Sequence, residues 1–291
     1  MKKLVLVGRG LTVLLGTALL GGVASAADIP VKAPYQPPPP VWSWTGFYIG
    51  ANGGYGVAND DVTQTIFVPP PVGPATFFSP LPSTLAPKGG FGGGQIGFNW
   101  QTGAVVWGVE GDYQGASQTS TTVCGGLCVG TTAGGATAIL NTSIYQKVKW
   151  FGTVRGRIGY ANNGAMIYFT GGGAWMGIDE TDGFVAFATG APAIAQAASF
   201  SNTKSGYSVG AGVEMRLWLS NWTAKIEYLH LDVSGTTNTF ALSPTVFGVA
   251  APLTTTSGRI RDDIFRVGVN YKFGWGGYGA GYGGYGGYGA Y

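Results

Sequence analysis

The stretch FRVGVNYKF, residues 265–273, decides the fold. Phe265, Val267, Val269, Tyr271 and Phe273 fall on one face of an extended strand, and Arg266, Gly268, Asn270 and Lys272 on the other. A period of two is a strand signal. The same alternation recurs at 44–59, 88–100, 104–117, 142–160, 164–178, 204–219 and 221–233, and the closing segment extends back to 259. Segment 142–160 sets Val148, Trp150, Val154, Ile158 and Tyr160 against Lys147, Lys149, Thr153, Arg155 and Arg157. Segment 164–178 is less clean, since Met166, Met176 and Ile178 fall in its polar row.

Short links rich in turn residues (101–103, 161–163 and 220) alternate with long ones (60–87, 118–141, 179–203 and 234–258). Eight strands with short turns at one end and long loops at the other is the layout of an outer-membrane barrel, an all-β, antiparallel, up-and-down architecture. Composition agrees. Charged residues are 10% of the chain, against about 25% in ordinary domains, while there are 53 glycines among 291 residues and 13% aromatics.

Residues 1–26 read as a signal peptide: Lys2, Lys3 and Arg9 precede an apolar centre, and small Ala24 and Ala26 precede the expected cut near Ala26/Ala27. The apolar centre at 11–23 is too short to span a membrane, and no later run is apolar enough for a helical span. Loss of the three basic residues leaves the basic count level with the 13 acidic ones. Net charge therefore gives no reason to expect nucleic acid as a partner. Residues 27–43 hold the prolines 37–40 and read as a periplasmic spacer. Residues 44–273 are the barrel, and 274–291 form a Gly/Tyr-rich tail.

Alternation alone does not say which row is wet, because a soluble ligand-binding barrel also alternates. Side-chain size separates the cases. The polar row is crowded with glycine (50, 54, 93, 97, 108, 210, 212, 268), and an eight-stranded barrel has an interior only wide enough for side chains to fill. The small row therefore belongs inside, with a lumen charge network of Glu110, Asp112, Glu214 and Glu227 against Lys147, Lys149, Arg155, Arg157, Arg216, Lys225, Arg266 and Lys272. The bulky row faces lipid, with Trp44, Trp100, Tyr160 and Trp222 as an aromatic girdle near the short turns.

The segments WSWTGFYIGANGGYG after a DIPVKAPY leader, WFGTVRGRIGYA, KIEYLHLD and FRVGVNYKF resemble the small outer-membrane β-barrel proteins of alphaproteobacteria. That family includes proteins called outer-membrane immunogenic or porin-family and is similar in architecture to OmpA and OmpX. The resemblance implies periplasmic termini, outward-facing long loops and residence in the cell outer membrane. It also implies an assembly signal in Val267, Val269, Tyr271 and Phe273, read by the barrel-assembly machinery after periplasmic chaperones. Family members usually stop near the aromatic after NYK, whereas this chain continues to Tyr291.

Few residues suggest chemistry. Cys124 and Cys128, in CGGLC, favour a disulfide in an oxidising envelope, worth less than the roughly 3 kcal/mol of a fifteen-residue loop. GGGQIG, 92–97, matches a dinucleotide fingerprint by pattern but lies within an alternating strand. The only histidine, His230, has no triad or zinc partners at suitable spacing. Asp179, Asp182, Asp262 and Asp263, near strand ends, read as solvated rim charges, with binding of divalent cations or lipid-A counterions as the alternative. No catalytic residue, cofactor or metal is expected.

The expected role is structural, supporting envelope integrity and surface interactions. Outer-membrane lipids, lipopolysaccharide and an external ligand or host surface are the partners. A narrow porin-like channel and a haem- or ligand-binding surface protein are the alternatives.

Overall fold

The computed structural model describes residues 42–70, 76–78, 83–123, 128–131, 137–188, 194–218, 220–244 and 249–273. The signal peptide, most of the spacer, the tail and the Cys124–Cys128 pairing lie outside the described residues.

The described strands are β1 (Gly46–Val68), β2 (Thr76–Phe78), β3 (Ser83–Leu85), β4 (Lys88–Thr102), β5 (Val105–Val123), β6 (Cys128–Thr131), β7 (Thr137–Asn162), β8 (Ala165–Ala188), β9 (Ile194–Arg216), β10 (Trp222–Val233), β11 (Thr236–Leu242), β12 (Ala251–Ser257) and β13 (Ile260–Lys272). Eight of them form a ring in the order β1, β4, β5, β7, β8, β9, β10, β13, each antiparallel to its neighbours. The ring closes because β1 pairs with β13 from Tyr48–Lys272 to Asn59–Arg261 as well as with β4. Closure leaves no open edge, the condition for spanning a bilayer with strands. At the short turns, Gly103 and Asn163 take the left-handed conformation, φ 61° and 56°, which glycine and asparagine tolerate.

The two rows separate by exposure. Val154, Ile158 and Phe169 are 61%, 59% and 68% exposed, whereas Arg155 and Arg157 on the alternate positions of β7 are 1% and 5% exposed. The bulky apolar side chains therefore point outward. On β1 the outward apolar positions run from Ile49 to Val57 and give way to Asn59, Asp61 and Thr63. That is about ten residues, enough to cross an apolar band of roughly 25 Å at the usual strand tilt.

The expected long loops are largely strand. β1, β5 and β8 run on to Val68, Val123 and Ala188, while β7 and β9 begin at Thr137 and Ile194. The β11–β12 hairpin continues the sheet by pairing Val62–Ile66 of β1 with Leu253–Ser257. A raised wall thus stands on the membrane band. Its outward positions are mostly polar, with Val123, Tyr145 and Phe187 among the exceptions, and its inward ones partly apolar: Val62, Leu85 and Ile144 cluster inside, as do Ile66, Phe184, Ala186, Leu242 and Leu253. The contrast between the faces reverses above the band, so the pattern that marks the spanning part does not mark its extension.

One strand breaks parity. A β-bulge between Val148 and Trp150 lets one extra residue of β7 sit opposite β8, and above it the faces exchange. Val148 becomes fully buried, while Lys149 points outward and pairs with Asp179 at 3.1 Å. Lys149 is therefore not a lumen residue, and neither is Lys147, which lies across from the outward Thr119. β8 keeps its parity, so Met166, Met176 and Ile178 are inside. The latter two join Ala58, Phe91, Val148, Phe151, Leu229, Leu231, Val233, Ile260 and Ile264 in an apolar layer across the lumen.

Candidate functional site

The lumen is filled in layers. At the short-turn mouth, residues 42–45 turn inward ahead of β1: the Trp44 amide donates to Gln101 Oε1 at 2.7 Å, and the fully buried indole packs with Val106, Ala161, Met166 and Tyr168. Trp44 is thus a stopper, not a member of the outer girdle. Its numbering parity with the inward Tyr48 is the sequence signal for that placement. Trp42 packs edge-on against it at 5.8 Å, and the Arg216 guanidinium and Lys272 ammonium lie over the Trp42 ring at 4.3 and 4.6 Å. Arg216 donates to the Ser220 carbonyl at 3.0 Å, so it closes the mouth and stands outside the carboxylate network.

Above the stopper, the structure brings together Glu110, Asp112, Arg155, Arg157, Glu214, Lys225, Glu227 and Arg266. Glu110 of β5 accepts from Arg155 at 2.6 Å, Lys225 at 2.9 Å and Arg266 at 3.2 Å. Arg266 also reaches Glu227 at 2.5 Å and Asp112 at 3.2 Å, and Arg155 reaches Asp112 at 2.9 Å. Arg157 pairs with Glu214 at 2.7 Å and lies over the Tyr168 ring at 4.3 Å.

Neutral groups supply further bonds. Tyr48 and Tyr168 donate to Glu110 and Glu227 at 2.8 and 2.9 Å, and Asn270 and Thr223 donate to Glu214 at 2.9 and 2.5 Å. These partners share the inward parity of the charges they serve, but parity alone does not reveal who bonds to whom. Four carboxylates face four cations, so this layer is balanced and not cationic. The excess expected from the sequence is removed by Lys147 and Lys149 turning outward and by Arg216 and Lys272 lying on Trp42.

Such charges, removed from water, persist only if paired and hydrogen-bonded. Inward glycines make room for them: a Cβ on Gly97 would strike the Tyr48 ring, and one on Gly212 would approach the Tyr168 hydroxyl to 2.6 Å. Gly92, Gly93, Gly94 and Gly97 lie within β4, with no helix following, so the dinucleotide-like pattern is a strand feature.

Above the apolar layer, inside the raised wall, lies a second polar group. Asp60 accepts from Gln146 at 2.7 Å and from Ser257 at 2.8 Å, and Glu180 accepts from Asn238 at 2.8 Å. Burial, with Asp182 and Asp60 adding, pushes the Glu180 carboxyl up to about 7, while Lys204 pulls it down. Burial likewise raises Asp60 and Asp182 and lowers Lys204. Asp182 and Asp262 are fully buried, so they are wall and lumen residues in place of the solvated rim charges expected, because their side chains fall on the inner parity. On the outside, His230 Nδ1 and the Tyr228 hydroxyl meet Asp263 at 2.8 and 2.6 Å. Val267, Val269 and Phe273 are exposed on the outer face, and Tyr271 packs edge-on with Trp222 and Phe273 at 5.2 Å each. Among the described residues no group of three or more His, Cys, Asp or Glu side chains is placed to hold a metal ion.

Comparison with known proteins places the chain in a family. Residues 15–273 match the family model described as outer membrane protein beta-barrel domain. The 31 kDa outer-membrane immunogenic protein of Brucella melitensis is 35% identical over 88% of this chain and 96% of its own length. The 22 kDa outer membrane protein of Rhizobium leguminosarum bv. viciae is 30% identical over 71% of this chain and 69% of its own. Among solved structures, the outer membrane protein OprG from Pseudomonas aeruginosa aligns with a TM-score of 0.38 at 13% identity, covering 79% of this chain and 97% of that one. With a closed ring of eight antiparallel strands, an apolar outer band and a family match across nearly its whole length, the chain belongs to the outer-membrane protein β-barrel family.

Proposed function

We propose that this protein is a sealed, non-enzymatic structural barrel that supports the integrity of the outer membrane and carries surface interactions on its raised outer wall. In this reading residues 1–26 direct export and are removed near Ala26/Ala27, and the outward row of Val267, Val269, Tyr271 and Phe273 serves the assembly machinery. One observation carries it. The ionic layer centred on Glu110 lies between the Trp44 stopper and the apolar layer of Phe91, Phe151, Met176 and Leu229, so a permeating ion would have to open three filled layers in succession. Eight-stranded barrels are filled by side chains, whereas aqueous channels belong to barrels of about 16 to 18 strands. The folded protein in planar bilayers is expected to give no steady conductance steps. Reproducible steps from fully folded protein would overturn this reading in favour of a narrow channel.

A further inference from the structure

Just above the apolar band, the outer faces of β4 and β7 carry Lys88, Lys147 and Lys149. The register sets Lys88 beside Thr119 and Thr119 beside Lys147, so these lysines stand two strands apart, about 10 Å. Lys149 lies two residues along β7 from Lys147, about 7 Å away. The bulge at Lys149 and Trp150 produces this row, since an unbroken alternation would have turned both β7 lysines into the lumen. Asp179 is the acid beside them and pairs with Lys149, leaving the row with a net positive charge. Elsewhere at this level Arg259 is matched by Asp232 at 2.7 Å.

Depth fixes what this charge meets. Tyr113 and Trp150 stack at 5.7 Å beneath the lysines and end the apolar band, the depth at which amphipathic aromatic rings meet lipid headgroups. Below Lys88 the outer surface is low. Gly90, Gly92 and Gly94 follow on β4, with Gly53 and Gly115 flanking Gly92 in register. A Cβ at any of these five would find no neighbour closer than 3.4 Å, so the wall itself does not require glycine there.

We infer that the Lys88, Lys147 and Lys149 row docks the phosphates of a phosphorylated glycolipid of the outer leaflet, with its acyl chains lying along the low strip beneath. The lysine row carries the inference, and the strip adds only a shape that fits. Backbone positions about 10 Å apart let the three ammonium groups serve separate phosphates at once, so the row suits a headgroup with more than one phosphate better than a phospholipid with a single one. The inference rests on the reading of this chain as an outer-membrane barrel whose raised wall faces outward.

The test uses the full mature chain folded in phosphatidylcholine nanodiscs, with bisphosphorylated lipid A, its dephosphorylated form and phosphatidylglycerol as probes. The wild type is expected to hold bisphosphorylated lipid A and not the dephosphorylated form, with phosphatidylglycerol failing to displace it at equal concentration. The combined K88Q, K147Q and K149Q variant is expected to bind about a hundredfold more weakly, a factor of about five per lysine. Folding of the variant is checked by its heat-dependent gel mobility, and the wild-type comparison of the lipids stands even if the variant does not fold. Equal binding of the dephosphorylated lipid, equal displacement by phosphatidylglycerol, or undiminished binding by the folded variant would overturn the inference. None of these results bears on conductance, so a failure here is distinct from a failure of the sealed-barrel reading.

Discussion

Glu110 is the residue on which the ionic layer converges: Arg155, Arg266, Lys225, Arg157 and Tyr48 all donate to it. Glu110→Gln keeps the shape but leaves buried cations short of a counter-charge, a loss of about 3–5 kcal/mol. The variant is expected to unfold at clearly lower urea, read by gel mobility, whereas Arg259→Gln, at a guanidinium that stands in solvent, is expected to move the midpoint far less. Glycine makes a second contrast. A Cβ on inward Gly172 would collide with the Val154 carbonyl, while one on outward Gly92 has 3.7 Å of clearance. Gly172→Ala is therefore expected to lower the unfolding midpoint, and Gly92→Ala to leave it unchanged. At this scale the sequence was legible wherever parity held, as for Glu110, Asp112, Arg155, Arg157, Glu214, Lys225, Glu227 and Arg266. It failed at Lys149, because a bulge arises from the pairing of β7 with its neighbours, which one strand's pattern does not contain.

At the scale of elements, the spanning parts of the eight strands could be read because their outer rows are bulky and apolar. The raised wall could not, because there Val62, Ile66 and Phe184 face inward while Asp61, Thr63 and Thr181 face outward, reversing the contrast. The wall also carries a pH dependence. Glu180 in β8 titrates at about 7 against an ordinary 4.5, so the folded wall favours its protonated form. Its stabilising contribution is full below about 4.5 and is lost as pH rises through 7. Hydrogen exchange in β8 and β9 beyond Asp179, corrected for intrinsic rates, is expected to be faster at pH 8 than at pH 5, and Glu180→Gln to remove most of that difference. Equal protection at the two pH values in the wild type would refute the assignment.

For the whole molecule, one decision governs the rest: the apolar rows meet acyl chains, and the charged rows meet one another in a closed cylinder. The paucity of charge and the glycine-rich inner rows carried that decision in the sequence. The three-layer filling was less legible, since the Trp44 stopper and the Met176–Leu229 layer depend on which side chains meet across the lumen. Nitroxide labels at Val154 and Val267 on the outer face, with Thr153 on the inner face as control, measure the arrangement directly in a cysteine-free background. Oxygen, enriched in hydrocarbon, is expected to relax the labels at 154 and 267 strongly while a water-soluble nickel reagent does not, and a label at 153 to respond weakly to both. Strong nickel accessibility at 154 and 267, or oxygen accessibility at 153 matching theirs, would contradict the arrangement.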